Sequence, residues 1–154
     1  VDLTKPDAIE AALRAADIDA LRDRRIDTLS GGERARARLA RALAVQAPLL
    51  LVDEPVAALD PRHQLGGMAV LRDQCDAGAV VIVVLHDLTL ASRFCDRLLL
   101  LDRGEVIADG AIDTVLTDDK LHQVYGIQAV RSTHAGRPYI LPWTIETTDE
   151  TTPR

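Results

Sequence analysis

The sequence predicts an α/β domain with a largely parallel sheet flanked by helices, and three observations carry that expectation. Two apolar runs, LLLV at 49–52 and VVIVVL at 80–85, are continuous rather than alternating. Strands of that kind are buried on both faces, as in parallel sheets covered by helices. Stretches of helical periodicity alternate with them along the chain, which is the element pattern of α/β folds. Acidic residues and a histidine, Asp53, Glu54, His86 and Asp87, stand where the two runs end. Ligands of such sheets bind beyond the carboxyl ends of the strands.

The elements follow in order. PDAIEAALRAA at 6–16 places Ile9, Leu13 and Ala16 on one helical face, with Pro6 in the first turn. A polar turn around Asp23 to Asp27 leads to a helix from Gly31 to about Gln46. Pro48 closes the connection to the first strand, APLLLVDEP. A helix over about Arg62 to Cys75 precedes the second strand, GAVVIVVLHD. Leu88 to Cys95 is helical, and RLLLLDRGEVIADG reads as two strands joined by a glycine-containing turn. Short helices follow near Ile112 to Leu116 and Asp118 to Tyr125. From Arg131 the chain is polar and proline-containing, and its closing TIETTDETTPR has the composition of a disordered tail.

Composition narrows the function classes. The 154 residues are 47% hydrophobic but only 3% aromatic, so the core is built from Leu, Val, Ile and Ala. A net charge of −6 supplies no positive field for nucleic acid or anionic membranes. Cys75 and Cys95 form no CxxC pair, which suits a reducing compartment and offers no metal site. The beginning VDLTKPDAIEAALRAAD lacks the pattern of a signal peptide, and no apolar run is long enough to span a bilayer. These features predict a soluble intracellular protein.

Two stretches carry the chemistry. In LLLVDEP, Asp53 directly after a buried strand is placed to hold Mg²⁺ through water beside a nucleotide phosphate, and Glu54 to orient or deprotonate an attacking water. The plainer alternative is a strand that ends in two solvated acids. In LSGGE at 29–33, Ser30 and Glu33 have the spacing of a capping box, a purely structural device. Two glycines in the first turn cost a helix roughly 1 kcal/mol each, and they leave backbone amides open to an anion at the positive end of the helix dipole. His86 is either a satisfied core residue or a group that reaches the same phosphate. Asp60 is either the N-cap of the next helix, with Pro61 at its first position, or a contact to a partner. Arg34, Arg38 and Arg41 form a solvated stripe, with Arg34 a candidate to lie near the ligand, and His63, His122 and His134 have no ligand spacing.

LSGGE at 29–33, LLLVDEP at 49–55, ALD at 58–60 and LHD at 85–87, in that order, resemble the ATP-binding cassette family, whose core is P-loop NTPase-like. The resemblance covers the chain up to about Pro142. It implies that Leu29, Ser30, Gly31, Gly32 and Glu33 form the signature motif that meets ATP held by an opposite subunit. It further implies that Asp53 is the Walker B aspartate with Mg²⁺, Glu54 the catalytic base, Asp60 the D-loop residue at the dimer interface and His86 the switch histidine. Residues 1–28 would end the helical subdomain, 29–130 form the ATPase core and 131–154 the tail. HDLTLASRFCDRLLLLDRGEVIADG, VYGIQAV and GRPYILP are similar to ATPases of importers for siderophores, hemin and cobalamin, with GRPYILP leaning toward hemin. The implied partners are a second ATPase subunit packed head to tail, membrane permease subunits and, indirectly, a substrate-binding protein, with the chain on the inner face of the cell membrane.

Val56 and Ala57 depart from the Thr and small polar residue usual in the family, and Gly66–Gly67 interrupts a helix. A larger departure is that GxxxxGK[ST] does not occur in the 154 residues, whose only lysines are Lys5 and Lys120. The expectation is the C-terminal portion of a cassette ATPase, inactive alone. The rivals are a degenerate interaction module with the same fold and a DNA-repair type cassette ATPase. The absence of heptads and the net charge of −6 speak against the latter.

Overall fold

The computed structural model describes residues 6–145. The chain divides into two packing units, one ending at Leu85 and one beginning at His86. The first holds α1 (Pro6–Ala15), α2 (Gly31–Ala44), β1 (Leu49–Asp53), α3 (Pro61–Asp76) and β2 (Val80–Val84). The second holds α4 (Leu88–Phe94), β3 (Leu98–Asp102), β4 (Glu105–Gly110), α5 (Ile112–Val115), α6 (Asp118–Tyr125), β5 (Ile127–His134) and β6 (Arg137–Ile145).

In the first unit β1 and β2 pair in parallel, Leu49 opposite Val80 through Asp53 opposite Val84. Two short 3₁₀ turns, Asp19–Leu21 and Ile26–Thr28, occupy the expected polar connection between α1 and α2. The buried stripe of α1 is Ala8, Ala12 and Ala16, while the expected Ile9 is exposed. Small side chains let α1 lie close on α2, and the bulkier isoleucine is turned outward. On α2, Leu39, Ala40 and Leu43 face the core, and Arg34, Arg38 and Arg41 lie in solvent as expected.

The expectation that both strands are buried on two faces does not hold. Leu50 is buried, and Val52, Val81 and Val83 are half-buried on the same side. On the other side Leu49, Leu51, Val80, Ile82 and Val84 are exposed, Leu51 at 71% and Ile82 at 56%. The register pairs Leu51 with Ile82, so these side chains form one continuous apolar face that also bears Asp53. Helix α3 packs against β2. The continuous apolar runs thus record a sheet suited to cover on both faces, of which one is open here.

The doubled glycine of α3 has two different explanations. A Cβ at Gly67 would stand 2.8 Å from Cγ1 of Val56, which is only 2% exposed. A Cβ at Gly66 would meet nothing within 4 Å. The two departures noted in the sequence, Val56 and Gly67, are therefore one packing pair: the glycine makes the notch that the valine fills.

In the second unit, β3 and β4 form the expected hairpin. The turn at Arg103 (φ 49°) and Gly104 (φ 84°) has two positive φ values, the type I′ pattern matched to strand twist. The chain from Arg131 is not a polar tail: β5 and β6 make a second antiparallel hairpin, with another such turn at Ala135 (φ 49°) and Gly136 (φ 74°). The prolines that argued against strands are accommodated. Pro142 sits at the register shift beside Ala129, where ladder bonds are interrupted anyway. Of the ending TIETTDETTPR, Thr144 and Ile145 close β6, and the rest lies outside the described residues. Ser92 of α4 fastens this hairpin: its buried Oγ accepts from Ile140 N at 3.1 Å while Thr89 Oγ1 donates to Ile140 O at 2.8 Å. Leu88, Leu100, Val115, Leu116, Leu121 and Ile140 pack into the core of this unit.

Two predictions follow from the packing of the first unit. Gly66→Ala is expected to stabilise the chain by up to about 1 kcal/mol, the helix-propensity gain without steric cost. Gly67→Ala is expected to destabilise it by about 1–3 kcal/mol through overpacking against Val56, and urea unfolding of both variants checks the opposite signs. The open face of β1 and β2 is expected to make the 154-residue polypeptide bind an apolar-surface dye. Leu51→Gln with Ile82→Gln should lower that fluorescence, and an unchanged signal would place the apolar surface elsewhere.

Candidate functional site

The signature stretch is built around the start of α2. Ser30 is extended (φ −63°, ψ 168°) and caps the helix. Its Oγ accepts from Glu33 N at 3.3 Å, and its own amide donates to Glu33 Oε2 at 2.7 Å. The capping box read from the sequence is therefore formed, and it holds the Glu33 carboxyl below the usual glutamate range, first through the Ser30 amide and then its hydroxyl. The box takes up the amides of Ser30 and Glu33. Those of Gly31 and Gly32, at the first two helical positions, have no intrahelical carbonyl to bond. A Cβ on Gly31 would meet nothing within 4 Å, so packing does not require that glycine. Leu29 is buried and anchors the entry to the helix. The capping and anion-binding readings of this stretch are thus compatible.

The same helix start lies near the loop that follows β1. A Cβ on Gly32 would lie 3.6 Å from both Ala58 O and Leu59 Cδ2. Asp60 ends that loop as the N-cap of α3, with Oδ1 accepting from His63 N at 3.1 Å and Pro61 beginning the helix. The structural role allowed for Asp60 is present.

Asp53 closes β1 with its side chain exposed, opposite Val84 of β2. Glu54 leaves the strand with φ 44°, uncommon for a residue with a side chain, and its amide donates to Val84 O at 3.1 Å. Holding a non-glycine residue there costs on the order of 1–3 kcal/mol, a strain that clusters at functional positions. Asp53 and Glu54 are both exposed at the carboxyl end of β1. His86 belongs to the second unit, where it is exposed and directly precedes Asp87, the N-cap of α4. Among the described residues no group of three or more His, Cys, Asp or Glu side chains gathers into a metal cage. The hard oxygen donors of Asp53 and Glu54 still suit Mg²⁺, which commonly takes one or two carboxylates and keeps its waters and substrate phosphates.

A polar cluster in the first unit was not legible in the sequence. His63 Nδ1 lies 2.6 Å from Asp60 Oδ2, and His63 Nε2 lies 2.6 Å from Arg36 Nη1. Arg36 also donates to the backbone carbonyl of Asp17 at 2.9 Å, where a positive φ of 52° ends α1. The Asp60 carboxyl is held below its usual range, first by the His63 ring and then by the His63 amide. Arg36 is the one arginine of α2 that points inward from its row, a distinction that spacing from Leu39 and Ala40 could have suggested. Asp17, Arg36 and His63 line a recess of about 230 Å³ beside Gly66.

Comparison with known proteins bears on the fold and the family. The structure aligns with an inward-facing ABC transporter of metal-chelate type at a TM-score of 0.76, over 90% of this chain and 57% of that one. At 24% identity that likeness speaks for the fold. It also aligns with the dimeric ATP-binding cassette MJ0796 bound to ADP and Pi, at a TM-score of 0.64 and 32% identity, over 69% of this chain and 46% of that one. The fold is therefore the P-loop NTPase fold of ATP-binding cassettes. The sequence profile of the ABC transporter family matches residues 3–57. The hemin import ATP-binding protein HmuV of Nocardia farcinica is 51% identical over 119 residues, 77% of this chain and 41% of its own length. That of Pseudomonas putida is 46% identical over 140 residues, 86% of this chain and 55% of its own. The chain belongs to the ABC transporter ATPase family, and it spans about half the length of the curated relatives it matches.

The depressed values of Glu33 and Asp60 give a pH dependence with a definite sign. A carboxylate whose folded value lies below its unfolded one contributes stability that is present above the unfolded value. That contribution is lost as pH falls through the folded value. For Glu33 it should be complete above its ordinary value of 4.5. Glu33→Gln keeps an acceptor for the Ser30 amide but cannot titrate. Denaturant unfolding of the two proteins from about pH 6 down to about pH 3 is expected to show a smaller acid loss in the variant.

Proposed function

We propose that this chain forms part of the ATP-hydrolysing subunit of an importer that takes up an iron complex, with hemin the leading cargo. The observation that carries the reading is the start of α2. Two amides there are left by the capping box, beside a glycine that no packing contact demands. An anion is what such a helix start accepts. The names of the relatives in Nocardia farcinica and Pseudomonas putida support hemin as cargo.

In this reading Ser30, Gly31 and Gly32 grip the γ-phosphate of ATP held by an opposite subunit, with Leu29 and Glu33 fixing the turn. Asp53 would hold Mg²⁺ through water, and the ion would supply charge neutralisation at the phosphates. Glu54, held in a strained turn at φ 44° directly after the strand, takes a proton from the attacking water. His86 senses the γ-phosphate. Asp60 meets the opposite subunit across the dimer interface. Residues 1–28 close the helical subdomain and residues 29–130 form the catalytic core. The working assembly is a head-to-tail pair of ATPase subunits beneath membrane permease subunits, fed by a substrate-binding protein, at the cytoplasmic face. Among the described residues no helix is long and apolar enough to cross a membrane.

The lysine and amides of a phosphate-binding loop are not among these 154 residues. The 154-residue polypeptide is therefore expected to hydrolyse ATP no faster than its Glu54→Gln variant, in a phosphate-release assay with Mg²⁺. In the assembled transporter, Glu54→Gln is expected to lower kcat by roughly 10²–10⁴-fold, the span of general-base contributions. Wild-type turnover in that Glu54→Gln transporter would remove Glu54 from the mechanism.

A further inference from the structure

The cluster of Asp17, Arg36, His63 and Asp60 joins three helices to the loop that ends at Asp60, and donor chemistry fixes how it works. A guanidinium has only donors to offer. At 2.6 Å from His63 Nε2, Arg36 Nη1 requires that nitrogen to accept, and it is the closer neighbour there than the Asp17 carboxylate, whose Oδ2 stands 3.4 Å from the same nitrogen. The ring proton then resides on Nδ1, which donates to Asp60 Oδ2 at 2.6 Å. Arg36 is itself held by the Asp17 carbonyl at 2.9 Å and lies 3.4 Å from the Asp17 carboxylate. Arg36 and His63 are well covered, with side chains 16% and 24% exposed, so water competes weakly for these bonds.

We propose that Arg36 and His63 are positioning residues for Asp60: Arg36 fixes the Nδ1–H tautomer of His63, whose ring then holds the Asp60 carboxylate in place. Arg36 is on α2, the helix that begins with Ser30, and His63 is on the first turn of α3. The relay therefore ties the helix with the open amides to the loop carrying Asp60, in addition to the approach of Gly32 to Ala58. The two surfaces assigned above to an opposite subunit, the signature start and Asp60, are made to move as one body. That consequence rests on the reading of Asp60 given under the proposed function, whereas the relay itself rests on the geometry. The depressed carboxyl of Asp60, for which the His63 ring is the largest cause, agrees with it.

The test is made on the isotope-labelled 154-residue chain by NMR, without nucleotide or partner. The ring nitrogens of His63 report the tautomer, and the side-chain carbon of Asp60 reports its titration. The wild type is expected to show a single Nδ1–H form of His63. Arg36→Gln, which still brings an amide donor toward Nε2, should keep it. Arg36→Met, which keeps the aliphatic bulk and loses the donors, should give a mixture of tautomers. It should also shift the Asp60 midpoint upward, although residue 36 does not bond Asp60. His63→Asn, whose amide can replace the Nδ1 donor, should make Asp60 insensitive to Arg36→Met. Backbone amide spectra certify that each variant is folded. A proton on Nε2 in the wild type overturns the relay, and that measurement decides even if Arg36→Met does not fold. An Asp60 midpoint unmoved in folded Arg36→Met overturns it equally. Because no subunit pairing is involved, failure of the relay and failure of the interface role of Asp60 are separate results.

Discussion

Much of the first unit depends on the notch at Gly67 and the valine that fills it. Residues 54–59 leave the sheet through a strained Glu54 and must return to begin α3 at Pro61. Val56, almost fully buried, pins the middle of that short excursion against α3 at the point where a side chain would collide. With the middle pinned, the two ends have little freedom. Glu54 is held to β2 through Val84 O, and Asp60 is held to its own helix through the His63 amide. A buried valine contributes roughly 2 kcal/mol of transfer free energy, enough to offset a positive φ at Glu54. The carboxylates of Glu54 and Asp60 are thus placed by an apolar contact that neither of them makes.

Polar interactions then refine the placement. The capping box of α2 and the Asp60 cap of α3 each satisfy amides that a helix start leaves open, and each depresses a carboxyl in doing so. The cluster around His63 joins these two helix starts through Arg36. In the second unit the same division holds. A leucine- and valine-rich core sets the arrangement of α4, α5, α6 and the hairpins, and Ser92 with Thr89 occupies both polar backbone groups of Ile140. Exposed single contacts such as Arg14 with Glu10, at 3.5 Å on α1, add little.

Local signals in the sequence were reliable where a single element carries them. The capping box at Ser30 and Glu33, the proline start of α3, the glycine turn of the first hairpin and the two apolar strands are all short-range patterns, and each is present. The second hairpin was misread as a tail because its residues are mostly exposed and two prolines interrupt it. Its strands exist through pairing with each other and through the grip of α4, which no local pattern records. The buried stripe of α1 was misjudged for a related reason. Ile9 is the stronger hydrophobe, but helix-on-helix packing selects the alanines that permit close approach.

The sequence by itself determined the family of the chain, the order of its elements up to Tyr125 and the acids, glycines and histidine that are candidates for a phosphate chemistry. These are properties of contiguous residues, readable because capping, strand endings and turns need particular side chains at fixed spacing. Only the tertiary structure decided that Gly67 serves Val56, that Glu54 is strained and that one face of β1 and β2 is open. It alone gathered Asp17, Arg36, Asp60 and His63 into a cluster. Each of those depends on distances between residues remote in the chain, which are set by how helices and strands pack.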